Sequence, residues 1–322
     1  MNYRASAICI ILFMIWGPAG PFLEGQRRDP RTVSASSYLE RGNSWIVKGE
    51  LDRAIADFNL ALDFDPNFAA AYYNRAVVRS RQGHFDLALA DFERAIQLNP
   101  RLTEAYVDRS AIRYARGDLD GTISDNSRAI ELKPRLAQAW SNRGLARLDK
   151  RDVEGALADF DRSIQLNSRR AETYDNRGAA RFLKGDMDGA ISDHTRAIKL
   201  RPNFAEAYNA RGAARHMKGD VDGALADYKA SIALDPHVAS TYSNRATAWK
   251  AKGRVEEAIS DYTRAVELNP RNAEAFAHRG LMNLRQARIT EAQRDFDQCL
   301  RLDKDLKASL EQRIEEIKRQ SQ

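Results

Sequence analysis

The chain has 322 residues, 43% of them hydrophobic and 30% charged, with a formal net charge of +6. That apolar share excludes an intrinsically disordered chain, and only two cysteines, Cys9 and Cys299, exclude a disulfide framework. Beyond the N-terminus no stretch approaches the ~20 apolar residues of a membrane span, and no run of like charges forms the basic stripe of a nucleic-acid binder, because part of the surplus lies in the two ends and the middle is evenly mixed.

Residues 1–25 read as a signal peptide or N-terminal anchor. Arg4 sits in a short leading region, Ala5 to Trp16 is apolar, and Gly17-Pro18-Ala19-Gly20-Pro21 breaks any helix. The apolar run is too short to cross a ~30 Å hydrocarbon core as a helix, and small residues at Gly17 and Ala19 suit cleavage after Ala19. The expectation is an exported protein, periplasmic or secreted, touching a membrane only through this segment if it stays uncleaved. Residues 26–34, with Arg27, Arg28 and Pro30, read as a linker.

From Ala35 to Leu306 the chain repeats itself every 34 residues, eight times. Prolines recur at Pro66, Pro100, Pro134, Pro202, Pro236 and Pro270, and an aromatic follows six residues after each phase point, at Tyr72, Tyr106, Trp140, Tyr174, Tyr208, Tyr242 and Phe276, with Tyr38 ahead of them. A fixed period of this length marks a stack of helical hairpins. Numbering each unit 1 to 34 from Ala35, positions 4, 8 and 11 share one face of a first helix, and positions 17, 20, 21, 24 and 28 give a second helix its apolar face. Gly83, Gly117, Gly185, Gly219 and Gly253 stand where the first helix must end in a left-handed residue. Asp86, Asp120, Asp188 and Asp222 open the second helix as caps or dipole partners, and proline at position 32 stops it.

Two positions carry the same charge in every copy. Position 7 is arginine (Arg41, Arg75, Arg109, Arg143, Arg177, Arg211, Arg245, Arg279) and position 23 is aspartate (Asp57, Asp91, Asp125, Asp159, Asp193, Asp227, Asp261, Asp295). Such strict pairing of opposite charges predicts an ion pair between helices, either within a unit or between neighbours. Residues 307–322 differ: Leu310, Ile314 and Ile317 line one face of a helix that closes the exposed end of the stack.

With glycine or another small residue at position 8, alanine at 20, an aromatic at 24, a small residue at 27 and proline at 32, the units resemble the tetratricopeptide repeat (TPR) family over residues 35–306. The resemblance implies an all-α, right-handed α-solenoid of helix-turn-helix repeats whose first helices line a concave groove. It implies that positions 2, 5, 6, 9, 12 and 13 face that groove.

No phosphate loop, zinc helix, nucleophile elbow or CxxC pair is present, and the five histidines share no face, so neither an enzyme nor a cofactor or metal is expected. Position 6 instead offers Asn74, Asn142, Asn176 and Asn244, interrupted by Asp108 and Ala210, with His278 in the last unit. An asparagine amide can donate and accept at once, so such a row can hold an extended peptide backbone, similar to the asparagine ladder of O-linked N-acetylglucosamine transferases. Tyr73, Tyr114 and Phe182 add apolar spots together with Leu148, Leu183 and Met217, while Arg81, Lys250 and Arg285 add scattered charge. The expected function is a non-enzymatic interaction scaffold that binds an extended segment of a protein or peptide partner. The alternative is a structural or self-associating component of a cell-envelope complex that uses convex or end surfaces; no oligomeric state follows from the sequence.

Overall fold

The computed structural model describes residues 34–320. The signal or anchor segment expected over residues 1–25, the linker expected over 26–34 except its last residue, and residues 321–322 lie outside the described residues. Among the described residues the secondary structure is helical, with no strand. Contacts divide the chain into two compact units, one up to Asn176 and one from Arg177.

Unit 1 holds α1 (Ala35–Val47), α2 (Leu51–Phe64), α3 (Ala69–Arg81), α4 (Phe85–Leu98), α5 (Thr103–Ala115), α6 (Leu119–Leu132), α7 (Ala137–Asp149), α8 (Val153–Leu166) and the start of α9 (Ala171–Lys184). Unit 2 holds the rest of α9, then α10 (Met187–Leu200), α11 (Ala205–Met217), α12 (Val221–Leu234), α13 (Ala239–Ala251), α14 (Val255–Leu268), α15 (Ala273–Arg285), α16 (Ile289–Leu302), a 3-10 turn (Lys304–Leu306) and α17 (Lys307–Gln320). In both, odd-numbered helices up to α15 are the first helix of a hairpin and even-numbered ones the second.

The turns within hairpins are built alike. After α3, Gly83 has φ +80° and donates to Ser80 O, while His84 N–H donates back to Arg79 O at 2.8 Å, the double bond that closes a helix on a left-handed residue. Arg151 and Ala287 occupy the same slot with φ of 67° and 54°, so the geometry of the hairpin overrides the residue's own preference there. All second helices except α6 and α10, which end on Lys133 and Arg201, close on an Asx turn, as when Asn99 Oδ1 accepts from Arg101 N–H at 3.1 Å.

Of the two roles expected of the position-18 aspartates, the dipole-partner role in the first turn holds and capping falls two residues earlier. Asp118, Asp152, Asp186 and Asp220, at position 16, accept the N–H of Gly121, Gly155, Gly189 and Gly223 at 2.8–2.9 Å. Asp86, Asp120, Asp188 and Asp222 lie in the first helical turn and bind basic side chains 30 residues onward: Arg116, Lys150, Lys218 and Lys252. These exposed links tie adjacent repeats inside each unit.

Alanines at position 20 are wholly buried, and the aromatic at position 24 fills the space beside them. Glycine at position 8 is a matter of room: a Cβ on Gly144 would lie 2.8 Å from the Phe160 ring and one on Gly212 2.8 Å from Tyr228. Cys299 takes the small-residue slot of the last hairpin and is fully buried in its core. That core continues onto α17 through Leu310 and Ile317, with Ile314 partly buried beside them. Unit 1 contains one exception to the aromatic rule, Asn126, buried with its Oδ1 lacking a partner. Nearby, Ser110, Ala111, Tyr114, Thr122 and Asn142 line a void with room for about one water molecule.

Candidate functional site

The repeated charges form a clamp inside each hairpin. In all eight repeats the position-7 arginine donates through Nη2 to the position-23 aspartate at 2.5–2.7 Å and through Nε to its other oxygen at 2.7–3.0 Å. The pairing is therefore within a unit, bidentate, and on an almost fully buried carboxylate. In four repeats the remaining guanidinium nitrogen reaches back to the preceding hairpin, at Asn59, Ser127, Thr195 and Thr263. Position 11 supplies a further donor to the same aspartate, from Trp45, from Arg79, Arg113, Arg147, Arg181 and Arg215 at 2.7–3.0 Å, and from Asn283. Position-4 aromatics cover the guanidiniums, 4.8–5.8 Å from ring centroid to Cζ in seven repeats.

The clamp fixes which face the first helices leave open. In unit 1, α1 contacts α3, α3 contacts α5 and α5 contacts α7, and in unit 2 α11 contacts α13, whereas second helices pack on the first helix of their own hairpin and on that of the next rather than on one another. First helices thus approach one another more closely than second helices do. Within each unit the side they line is the concave one.

The position-6 row on that side is not uniform. Asn74 is 0% exposed and spends its amide N–H on Asn43 Oδ1 at 2.7 Å, so it is enclosed rather than presented. Asn142 is buried against the small void described above, and Asn176 and Asn244 are half-buried, Asn244 donating to Asn209 Oδ1 at 3.0 Å. Tyr73 and Tyr114 are buried too and act as bridges between repeats: Tyr73 donates to Asp108 at 2.8 Å and Tyr114 to Asp149 at 2.7 Å. Burial, helped by Glu104, lifts the Asp108 carboxyl to about 6 against the pull of the Tyr73 hydrogen bond. Phe182 is half-buried and its neighbour Leu183 exposed.

His278 belongs to the contact with α17. Its ring stacks on Tyr262 with centroids 5.5 Å apart, and its Nδ1 accepts from Arg313 at 2.8 Å. Burial, then the charges of Arg313 and Lys250, push its pKa down to about 4, so the ring is a neutral acceptor at pH 7. Lys250 and Arg285, which look scattered along the sequence, gather with Arg313: burial and both arginines push the Lys250 ammonium down. Arg313 was not legible as a site residue, since only the docking of α17 brings it beside α13 and α15.

Among the described residues no group of histidine, cysteine and acidic side chains could hold a metal ion, and no helix is long and apolar enough to cross a membrane.

This architecture defines an all-α protein of stacked helical hairpins. Residues 69–102 match the tetratricopeptide repeat model, and residues 42–83, 179–219 and 248–286 match a second TPR repeat model; the chain belongs to the tetratricopeptide repeat family. Among solved structures, a tetratricopeptide repeat protein from Parabacteroides merdae is 19% identical with a TM-score of 0.61, covering 77% of this chain and 98% of that one. PilF of Pseudomonas aeruginosa is 17% identical with a TM-score of 0.58, covering 68% and 97%. The Cut9–Hcn1 hetero-tetramer of the APC/C is 14% identical with a TM-score of 0.65, covering 87% and 56%. These likenesses concern the fold. A comparison with curated proteins finds no match.

Proposed function

We propose that this protein is a non-enzymatic interaction scaffold that takes an extended segment of a partner protein along the first-helix side of its repeats. The observation that supports this most is the closer approach of first helices to one another, which makes that side concave within each unit. The clamps hold those helices in register, so the surface is set before a ligand arrives and little ordering cost falls on the protein. Half-buried Asn176 and Asn244 offer amides with both donor and acceptor capacity toward a peptide backbone. We further propose that the chain is exported through its first 25 residues, on the apolar run and the Gly17-to-Pro21 breaker.

Capture of partners from the native host by the intact protein and by an Asn176→Ala/Asn244→Ala variant tests the first proposal. Loss of partners by a variant with unchanged helicity and melting temperature is the expected result, and retention of every partner refutes the groove. N-terminal sequencing of protein recovered outside the cytoplasm tests the second, and protein found only inside the cytoplasm refutes it.

A further inference from the structure

Most cations of this fold are neutralised in place. Each position-7 arginine has its aspartate, and basic residues at position 14 reach the acid of the preceding repeat. Several cations of unit 2 have no acid partner among the described residues, and three of these lie near one another. Lys250 on α13, Arg285 on α15 and Arg313 on α17 form no ion pair with an acid among the described residues; Arg313 is held by His278 Nδ1 at 2.8 Å, Lys250 lies near both, and Arg285 lies near Lys250. Lys250 and Arg313 are half-buried and Arg285 is exposed, and holding like charges together there costs stability unless an anion joins them.

The 34-residue register extends this cluster into a strip. Lys250 stands where Phe182 and His216 stand in the two preceding repeats, and Arg285 stands where Leu183 and Met217 stand. Leu183 is 38% exposed and Met217 65% exposed, at the ends of α9 and α11, so large apolar side chains lie open in the same row that ends in cations. Scattered exposed apolar residues need no explanation, but two in one row leading to an unneutralised basic cluster match a ligand of mixed chemistry.

We propose that this strip docks a partner segment carrying apolar side chains followed by carboxylates, the apolar side chains resting on Leu183 and Met217 and the carboxylates on Lys250, Arg285 and Arg313. The proposal rests on the peptide-binding reading above and narrows it to one strip of unit 2 and one class of segment. Two arginines and a lysine suit carboxylates well, since a guanidinium binds both oxygens of a carboxylate at once. A duplex nucleic acid would call for a longer basic stripe without the apolar side chains.

Panning a random library of roughly twelve-residue peptides displayed on phage against the full chain tests this, with the enriched peptides then synthesised and their binding followed by fluorescence anisotropy. The substitutions are Lys250→Ala/Arg285→Ala together and, separately, Met217→Ser; Arg313 is left intact because it anchors α17 to His278. Expected are peptides rich in aspartate or glutamate beside apolar residues, affinity falling as salt rises, roughly tenfold or greater weakening by the double variant, and a smaller loss with Met217→Ser. The proposal is overturned if enriched peptides are not acidic, if the double variant binds them as tightly as the parent, or if phosphatidylglycerol vesicles bind through these residues while no peptide is enriched. Non-acidic peptides lost by the Asn176→Ala/Asn244→Ala variant would sink this strip and leave the groove standing; an empty selection sinks both.

Discussion

Replacing Asp159 with alanine is the most direct test of the clamp. Asp159 is 1% exposed and accepts from Arg143 Nε at 2.9 Å, Arg143 Nη2 at 2.7 Å and Arg147 Nη1 at 2.8 Å. Hydrogen bonds to charged groups contribute ~1.5–3 kcal/mol each, which gives roughly 5–9 kcal/mol gross, offset by several kcal/mol for taking the carboxylate out of water. The variant keeps the other side of the balance: the Arg143 guanidinium, its side chain 14% exposed, loses its counter-charge, and Arg147, 28% exposed, is left with only Asp152 at 3.7 Å. A cost of about 3–5 kcal/mol follows. By contrast, Arg143→Met/Arg147→Leu/Asp159→Leu leaves no orphan charge and should recover most of that loss, because an intact buried pair adds little net over apolar packing. Urea unfolding followed by far-UV circular dichroism measures the difference. Since repeat stacks unfold in pieces, amide exchange in α7 and α8 locates it. A loss below about 1 kcal/mol for Asp159→Ala, or a triple variant no more stable than the single one, contradicts the assignment of the clamp as a buried, mutually dependent unit.

Three further outcomes are expected. Arg151→Gly should raise stability by about 0.5–1 kcal/mol, because a left-handed φ of 67° strains a side chain and every other turn except that at Ala287 uses glycine there; a lower melting temperature contradicts this. Ser110→Gly/Asn126→Phe copies the glycine and aromatic pair of the following hairpin, Gly144 with Phe160, and removes an unpartnered buried oxygen, so a gain of roughly 2 kcal/mol in urea unfolding is expected and a loss counts against it. Asp108 titrates at about 6 when folded and near the ordinary carboxylate value of 3.8 when unfolded, so the folded state binds the proton more tightly. Its contribution is therefore full below pH ~4 and is lost as pH rises through ~6, by at most about 3 kcal/mol. Asp108→Asn, which still accepts from Tyr73, should be the more stable protein at pH 8 and lose that advantage at pH 4; equal stability at pH 8 would remove the burial argument.

Much of this was legible before any coordinate. The period, the hairpin ends at Gly83 and its equivalents, the pairing of Arg41 with Asp57 and its seven copies, and the closing helix after Leu306 all follow from residues that recur in each copy. Eightfold repetition makes each such position an independent instance of the same local environment. The position-11 arginines escaped notice because tryptophan and asparagine interrupt them, although every residue there bears an N–H donor. The aspartates of position 18, read as caps or dipole partners, hold the dipole-partner place in the first helical turn and also serve the next repeat, while the capping aspartate is the one two residues earlier.

The sequence by itself determined the fold class, the hairpin register and the identity of the clamp, since these depend on contacts 12 or 16 residues apart that each unit carries within itself. Tertiary structure alone decided what the open face offers. Asn74 and Asn244 occupy equivalent positions, yet one is sealed against Asn43 and the other is half-open beside Asn209. Lys250 and Arg285 are brought near each other by the stacking of the hairpins that hold α13 and α15, and Arg313 joins them only because α17 packs onto the last hairpin. Exposure and electrostatic company are set by side chains of neighbouring repeats about 31–35 residues away. Those neighbours differ from copy to copy, so a pattern read within one repeat cannot report them.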